Sequence, residues 1–201
     1  MSLPMKNSVP FYPQKWDFDK YQELGFKTKA EAEKWEDSSC GILCLKMAID
    51  ASLTRQNKPL SPTIAEYITK GLELKAYLDP IGWSHEGLIK LAKYFDFEAK
   101  RQENISPDTL QQALDDGYLP IISIKWAFLK TKSWPEKIIF WKKYGGHLAL
   151  VVGYELDANS NLVGFYVHHT SIRQEYNWPN KLIDLQTFQT GFTGRCILLK
   201  T

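Results

Sequence analysis

From Tyr118 onward the chain changes its hydrophobic period, and that switch restricts the architectures open to it. Before Tyr118 the apolar residues recur at helical spacing. In "CGILCLKMAID" they are Ile42, Leu45, Ala48 and Ile49, with Leu43 and Met47 widening the face. "SPTIAEYITKGLEL" repeats the period with Ile64, Tyr67 and Ile68 behind a Ser-Pro start, and "SHEGLIKLAKYF" with Leu88, Leu91, Ala92 and Phe95 behind Ser84. "SPDTLQQALDDG" is a further Ser-Pro helix, closed by Gly117. After it, "YLPIISIKW", "GHLALVVGYEL", "LVGFYVHHT" and "RCILLKT" are rich in β-branched and aromatic residues and read as strands, and "FEAKR" reads as a short one before them. "LDANSN" is a turn, so the strands on either side of it form an antiparallel hairpin. Helices followed by an antiparallel sheet define an α+β chain.

With 201 residues, 44% of them hydrophobic, the sequence can bury a substantial core in one domain. A formal charge of +2 is too balanced to point to nucleic acid as the partner. No apolar run is long enough to span a bilayer. The opening "MSLPMKNSVPFYPQ" lacks the apolar centre of a signal peptide. Three cysteines, Cys40, Cys44 and Cys196, make no disulfide framework, and a bridge across one helical turn between Cys40 and Cys44 is strained. Reduced thiols and the missing signal favour a cytoplasmic setting.

Cys40 stands directly before Gly41 at the start of the most apolar helix. Ser38 or Ser39 is the expected N-cap oxygen. A thiol at that place meets the positive end of the helix dipole, which favours the thiolate, and first-turn N–H groups can receive a developing oxyanion. A buried, inert cysteine fits the position as well. Cys44, inside the helix, and Cys196, in the last strand, read as core. Of the four histidines, His147 opens the most apolar strand after Gly145-Gly146, at the rim of the sheet, where a cleft would lie. His85, in a helical first turn, is expected in solvent.

Taken in order, "VPFYPQ", "CGILCLKMAI", "GWSHEGLIKLAKYFDFEAK", "LPIISI" and "GGHLALVVGYE" resemble the papain-like cysteine peptidases of the bacteriocin-processing group, the double-glycine leader peptidases. The resemblance runs from about residue 9 to residue 200. It implies a papain-like peptidase domain over 1–201, with N-terminal helices packed on a C-terminal antiparallel sheet. It implies Cys40 as nucleophile, His147 as general base and Gln14 as a side-chain donor to the oxyanion. It implies a peptide or protein substrate and no cofactor or metal.

The sequence departs from that group in two places. Gln14 lies 26 positions before Cys40, because "KWDFDKYQELGFKTKAEAEKWEDSS" intervenes. Where the group carries Asp or Asn after the histidine strand, this chain has "VHHTS", so His169 takes the orienting position. A neutral imidazole can accept the His147 N–H but brings no charge, and with an ordinary pKa of about 6.5 it would lose that role on mild acidification. The alternative to a cysteine peptidase is a catalytically impaired module that binds a peptide in the same cleft. A metal site from Cys40, Cys44 and the histidine pair lacks the usual ligand spacing. Residues 127–145, basic and aromatic, are expected to form a flap over the cleft or an insertion packed on the body.

Overall fold

The structure is a computed structural model that describes residues 5, 6, 8–125, 128 and 146–201. The expected flap at 127–145 lies outside the described residues, Phe128 apart. The strands are β1 (Met5–Lys6), β2 (Tyr77–Leu78), β3 (Gly82–Trp83), β4 (Ala99–Gln102), β5 (Tyr118–Ile124), β6 (His147–Leu156), β7 (Leu162–His169), β8 (Trp178–Asp184) and β9 (Phe192–Lys200). Among the described residues, six of them pair antiparallel in the order β4-β9-β5-β6-β7-β8, and β1 is the seventh strand of that sheet. β1 joins the far half of β6, opposite Gly153 and Tyr154, where β5 no longer reaches. β2 and β3 form a separate hairpin. Asp157 folds the expected turn between β6 and β7 by accepting the backbone N–H groups of Asn159 and Asn161.

The helices are α1 (Lys29–Glu36), α2 (Cys40–Arg55), α3 (Ile64–Glu73), α4 (His85–Tyr94), α5 (Pro107–Asp115) and α6 (Leu185–Gly191). α2 is the axis of the molecule. Every residue from Gly41 to Ser52 is buried, between β5 and β6 on one side and α3 and α4 on the other. That explains why its sequence is apolar nearly all round. The exceptions neutralise each other: the Asp50 carboxylate accepts from Lys46, from the Tyr12 hydroxyl and from the Ser61 backbone N–H.

That cluster also moves a helix boundary. Ser61 was the expected cap of α3, but its N–H goes to Asp50, and its carbonyl and hydroxyl accept from Lys46. Thr63 caps instead, in a reciprocal box with Glu66. Ser84 and Ser106 cap α4 and α5 as the sequence predicts, and Gly117 closes α5 at φ +77°.

Three elements have no sequence signal strong enough to predict. β8 is an edge strand with only Ile183 buried, and it carries Pro179, which an edge tolerates. α6 is short, yet its Phe188 is fully buried against Phe165, Phe192 and Phe128, with ring centroids 4.4, 5.3 and 5.6 Å away. The β2–β3 hairpin owes its place to packing: Tyr77 and Trp83 meet each other and Trp35 of α1 at 5.2 to 6.0 Å.

Candidate active site

Cys40 is the first residue of α2 and is half-buried. Ser39 does not cap the helix, because its own backbone is helical and its hydroxyl donates to the Trp35 carbonyl at 2.6 Å. Ser38 is engaged with Tyr77. The expected cap is therefore missing, and Ser39 gives the first-turn N–H groups no side-chain bond. The thiol is pushed up by burial, and the nearby backbone N–H groups of Leu148, Gly41 and Cys40 itself pull it back down. Gly41 permits this approach. A Cβ there would sit 3.1 Å from Leu148 Cδ1, 3.1 Å from Trp83 Cβ and 3.2 Å from Leu88 Cδ1.

Leu148 follows His147, so the strand that packs against the start of α2 is the one that His147 opens. His147 Nε2 lies 2.8 Å from the Thr170 carbonyl. A carbonyl only accepts, so Nε2 carries the proton and Nδ1 keeps the lone pair. Burial holds the ring neutral, with its pKa down at about 4 despite the Thr170 bond. At rest the thiol and the imidazole are both uncharged.

His169 stands where the resemblance places it, next to His147, with ring centroids 4.8 Å apart and planes at 46°. It does not take the His147 N–H, which is spent on Thr170. Its own Nδ1 donates to the Tyr176 carbonyl at 2.7 Å, its other face meets Trp178 at 5.0 Å, and its buried Nε2 has no hydrogen-bond partner among the described residues. Burial, then the neighbouring His147, push its pKa down to about 3. The expected loss of its acceptor near pH 6.5 therefore does not apply. The acceptor at the His147 ring is a main-chain carbonyl, and no side-chain pattern announces one.

Gln14 is 2% exposed and reaches this region despite the long intervening stretch. Its Nε2 donates to the Glu36 carbonyl at 2.7 Å, and its Oε1 accepts from the Thr170 hydroxyl at 3.5 Å. The inserted segment closes on itself: Glu36 at the end of α1 accepts from the Trp16 N–H and from Lys15. Its two ends thus meet beside Cys40. The "VPFYPQ" segment is tied at several points. His168 bonds the Val9 carbonyl, Tyr12 bonds Asp50 and the Met47 sulfur, and the Gln14 N–H goes to Asn177 Oδ1. Asn177 went unnoticed in the sequence, because one asparagine ahead of an edge strand carries no signal.

His85 is not in solvent. It is half-buried, with Nε2 2.8 Å from the Ser123 hydroxyl, and burial, helped by Arg101 and Arg195, holds its pKa down. Cys44 and Cys196 are fully buried, as expected of core residues, and burial pushes the Cys44 thiol well up and the Cys196 thiol up to about 12. Among the described residues no group of three or more His, Cys, Asp or Glu could hold a metal ion, and no helix is long and apolar enough to cross a membrane.

The arrangement is that of a papain-like cysteine peptidase fold: a cysteine opening a central helix, facing an antiparallel sheet whose strand begins with a histidine. Solved structures agree on the fold. The chain is similar to a double-glycine-motif protease from an AMS/PCAT transporter, determined in complex with the leader peptide, with a TM-score of 0.53 and 15% identity over 100% of this chain and 99% of that one. It is similar to the peptidase domain of Streptococcus ComA, a bi-functional ABC transporter involved in a quorum-sensing pathway, at 0.52 and 17% over 81% of this chain and 91% of that one. A peptidase of the C thirty-nine-like group from Bacillus anthracis gives 0.55 and 13% over 99% and 98%. No family model and no curated protein sequence matches the chain.

Proposed function

We propose that the chain is a cysteine peptidase that hydrolyses a peptide bond through Cys40 and His147. The observation that carries this reading is the close approach of Gly41 to Leu148, with a Cβ on Gly41 falling 3.1 Å from Leu148 Cδ1, which brings the start of β6 against the start of α2. On substrate binding, His147 Nδ1 takes the thiol proton as the sulfur attacks the carbonyl carbon. General-base transfer during attack suits a pair that is neutral at rest. The oxyanion meets first-turn N–H groups of α2 and the second N–H of the Gln14 amide, whose first is held by Glu36. The C–N bond then breaks, His147 returns the proton to the leaving amine, and an acyl thioester remains on Cys40. Water, deprotonated by His147, hydrolyses it. The Thr170 carbonyl keeps Nε2 protonated throughout and accepts the stronger bond of the imidazolium.

A second reading, a module that binds an extended peptide without cutting it, draws on one observation: among the described residues no carboxylate faces either imidazole, so none of them stabilises the imidazolium by charge. The peptide complex of a structural neighbour agrees with a peptide ligand under both readings. The two separate in one experiment. The parent, Cys40→Ala and His147→Ala are incubated with a peptide library, and the thiols are mapped with iodoacetamide by mass spectrometry. The peptidase reading expects cleavage products from the parent alone, and labelling at Cys40 faster than at Cys44 or Cys196. Equal cleavage by Cys40→Ala refutes it, and binding without cleavage by the parent selects the second reading.

A further inference from the structure

We infer that Asn177 is a positioning residue, the side chain that aligns the general base where the described residues offer no orienting carboxylate. The inference rests on the proposed pairing of Cys40 with His147. Asn177 Oδ1 accepts two backbone N–H groups, from Gln14 at 3.0 Å and from Ser171 at 3.0 Å. Its Nδ2 donates to two carbonyls, Ser171 at 2.7 Å and Arg173 at 3.2 Å. Both ends of the amide are satisfied, and its bonds cross from the loop after β7 to the segment that carries Gln14.

The consequence is geometric. The loop from Thr170 to Asn177 has no regular ladder to fix it beyond a single 3-10 turn at Gln174–Tyr176. Asn177 folds it back on Ser171, and so sets the direction of the Thr170 carbonyl, the acceptor that decides the His147 tautomer. The same loop presents the Tyr176 carbonyl to His169, whose ring backs His147. Through the Gln14 N–H, Asn177 also ties the oxyanion donor to that loop. One amide therefore holds base and oxyanion donor in a common frame. An aspartate in its place keeps the acceptor oxygen but turns an oxygen toward two carbonyls, so the Ser171 and Arg173 bonds are lost.

The test needs no substrate. The chain has four histidines, so ¹⁵N-histidine spectra can be assigned by substitution. The parent should show His147 as the Nε2–H tautomer, and iodoacetamide should label Cys40 at a rate that falls in His147→Ala. In Asn177→Ala, His147 should become a mixture of tautomers. Cys40 labelling should drop roughly ten- to a hundredfold, the scale of an ångström-level misplacement. Asn177→Asp, which keeps the two accepted N–H bonds and the loop's attachment, should show the tautomer change with a smaller drop, and it decides the question if the alanine variant does not fold. An unchanged tautomer and labelling rate in whichever variant folds overturns the inference. So does a lowered melting temperature with no change in either readout, the mark of a purely structural amide. If the tautomer shifts while His147→Ala leaves Cys40 labelling untouched, Asn177 positions the ring as inferred and it is the catalytic pairing that fails.

Discussion

Gly41→Ala pits a local gain against a packing cost, and the structure decides which wins. Alanine is favoured over glycine inside a helix by about 1 kcal/mol, and less than that in a first turn. The new methyl, however, would meet three carbons at 3.1 to 3.2 Å. The two leucine methyls can turn away at small cost. Trp83 Cβ cannot, because it sits against its own backbone and the indole is pinned by its N–H to the Ser38 carbonyl at 2.7 Å and by the rings of Trp35 and Tyr77. Overpacking of this kind costs about 1–3 kcal/mol, so the net effect is a loss of about 1 kcal/mol. For a chain of this size that lowers the melting temperature by about 2–4 °C. The relief available is a slight parting of α2 from β6, which moves Cys40 away from the strand that His147 opens. Cys40 should then be labelled by iodoacetamide more slowly, by roughly threefold on the scale that links small misplacements to rate. Calorimetry and thiol mapping on the same sample provide both readings. A melting temperature that rises, with Cys40 reactivity unchanged, would refute the argument that Gly41 is there for close approach.

Asp50→Ala removes the acceptor of Lys46, Tyr12 and the Ser61 N–H at once, and leaves a nearly buried ammonium unpaired. The expected destabilisation is about 3–5 kcal/mol by urea unfolding, and a change under 1 kcal/mol would show that the cluster is not a linked unit. The two neutral histidines predict acid sensitivity. Their folded pKa values, about 4 for His147 and about 3 for His169, lie below the ordinary value of about 6.5. The unfolded chain therefore takes up protons first. The stability they contribute is complete above about pH 6.5 and is lost on acidification, by about 2 kcal/mol from each between pH 7 and pH 5. Urea midpoints at the two pH values measure this, and His169→Phe should flatten the dependence by about half. A parent whose midpoint is level across the range would place both rings in water.

The order of elements was legible in the sequence because periodicity is local. A buried helix shows apolar residues every third or fourth position whatever it packs on, and a buried strand shows a β-branched run. Thus α2 to α5, β5, β6, β7 and the final strand were readable, and so were Cys40 before Gly41 and the histidine opening β6. The tertiary structure alone decided matters that depend on partners distant in the chain. Ser61 is a good cap by local rules, yet Asp50, eleven residues away, claims its N–H. Ser39 is an equally good one, but the helical turn before it takes its hydroxyl. Gln14 reaches the site because α1 and Glu36 close the loop between. "VHHTS" pointed to His169 as the acceptor for His147, whereas the bond goes to the Thr170 carbonyl, aimed by an asparagine seven residues on. Every residue has a carbonyl, so its direction is written in no side chain. Long-range hydrogen bonds set it, and they exist only once the chain has folded.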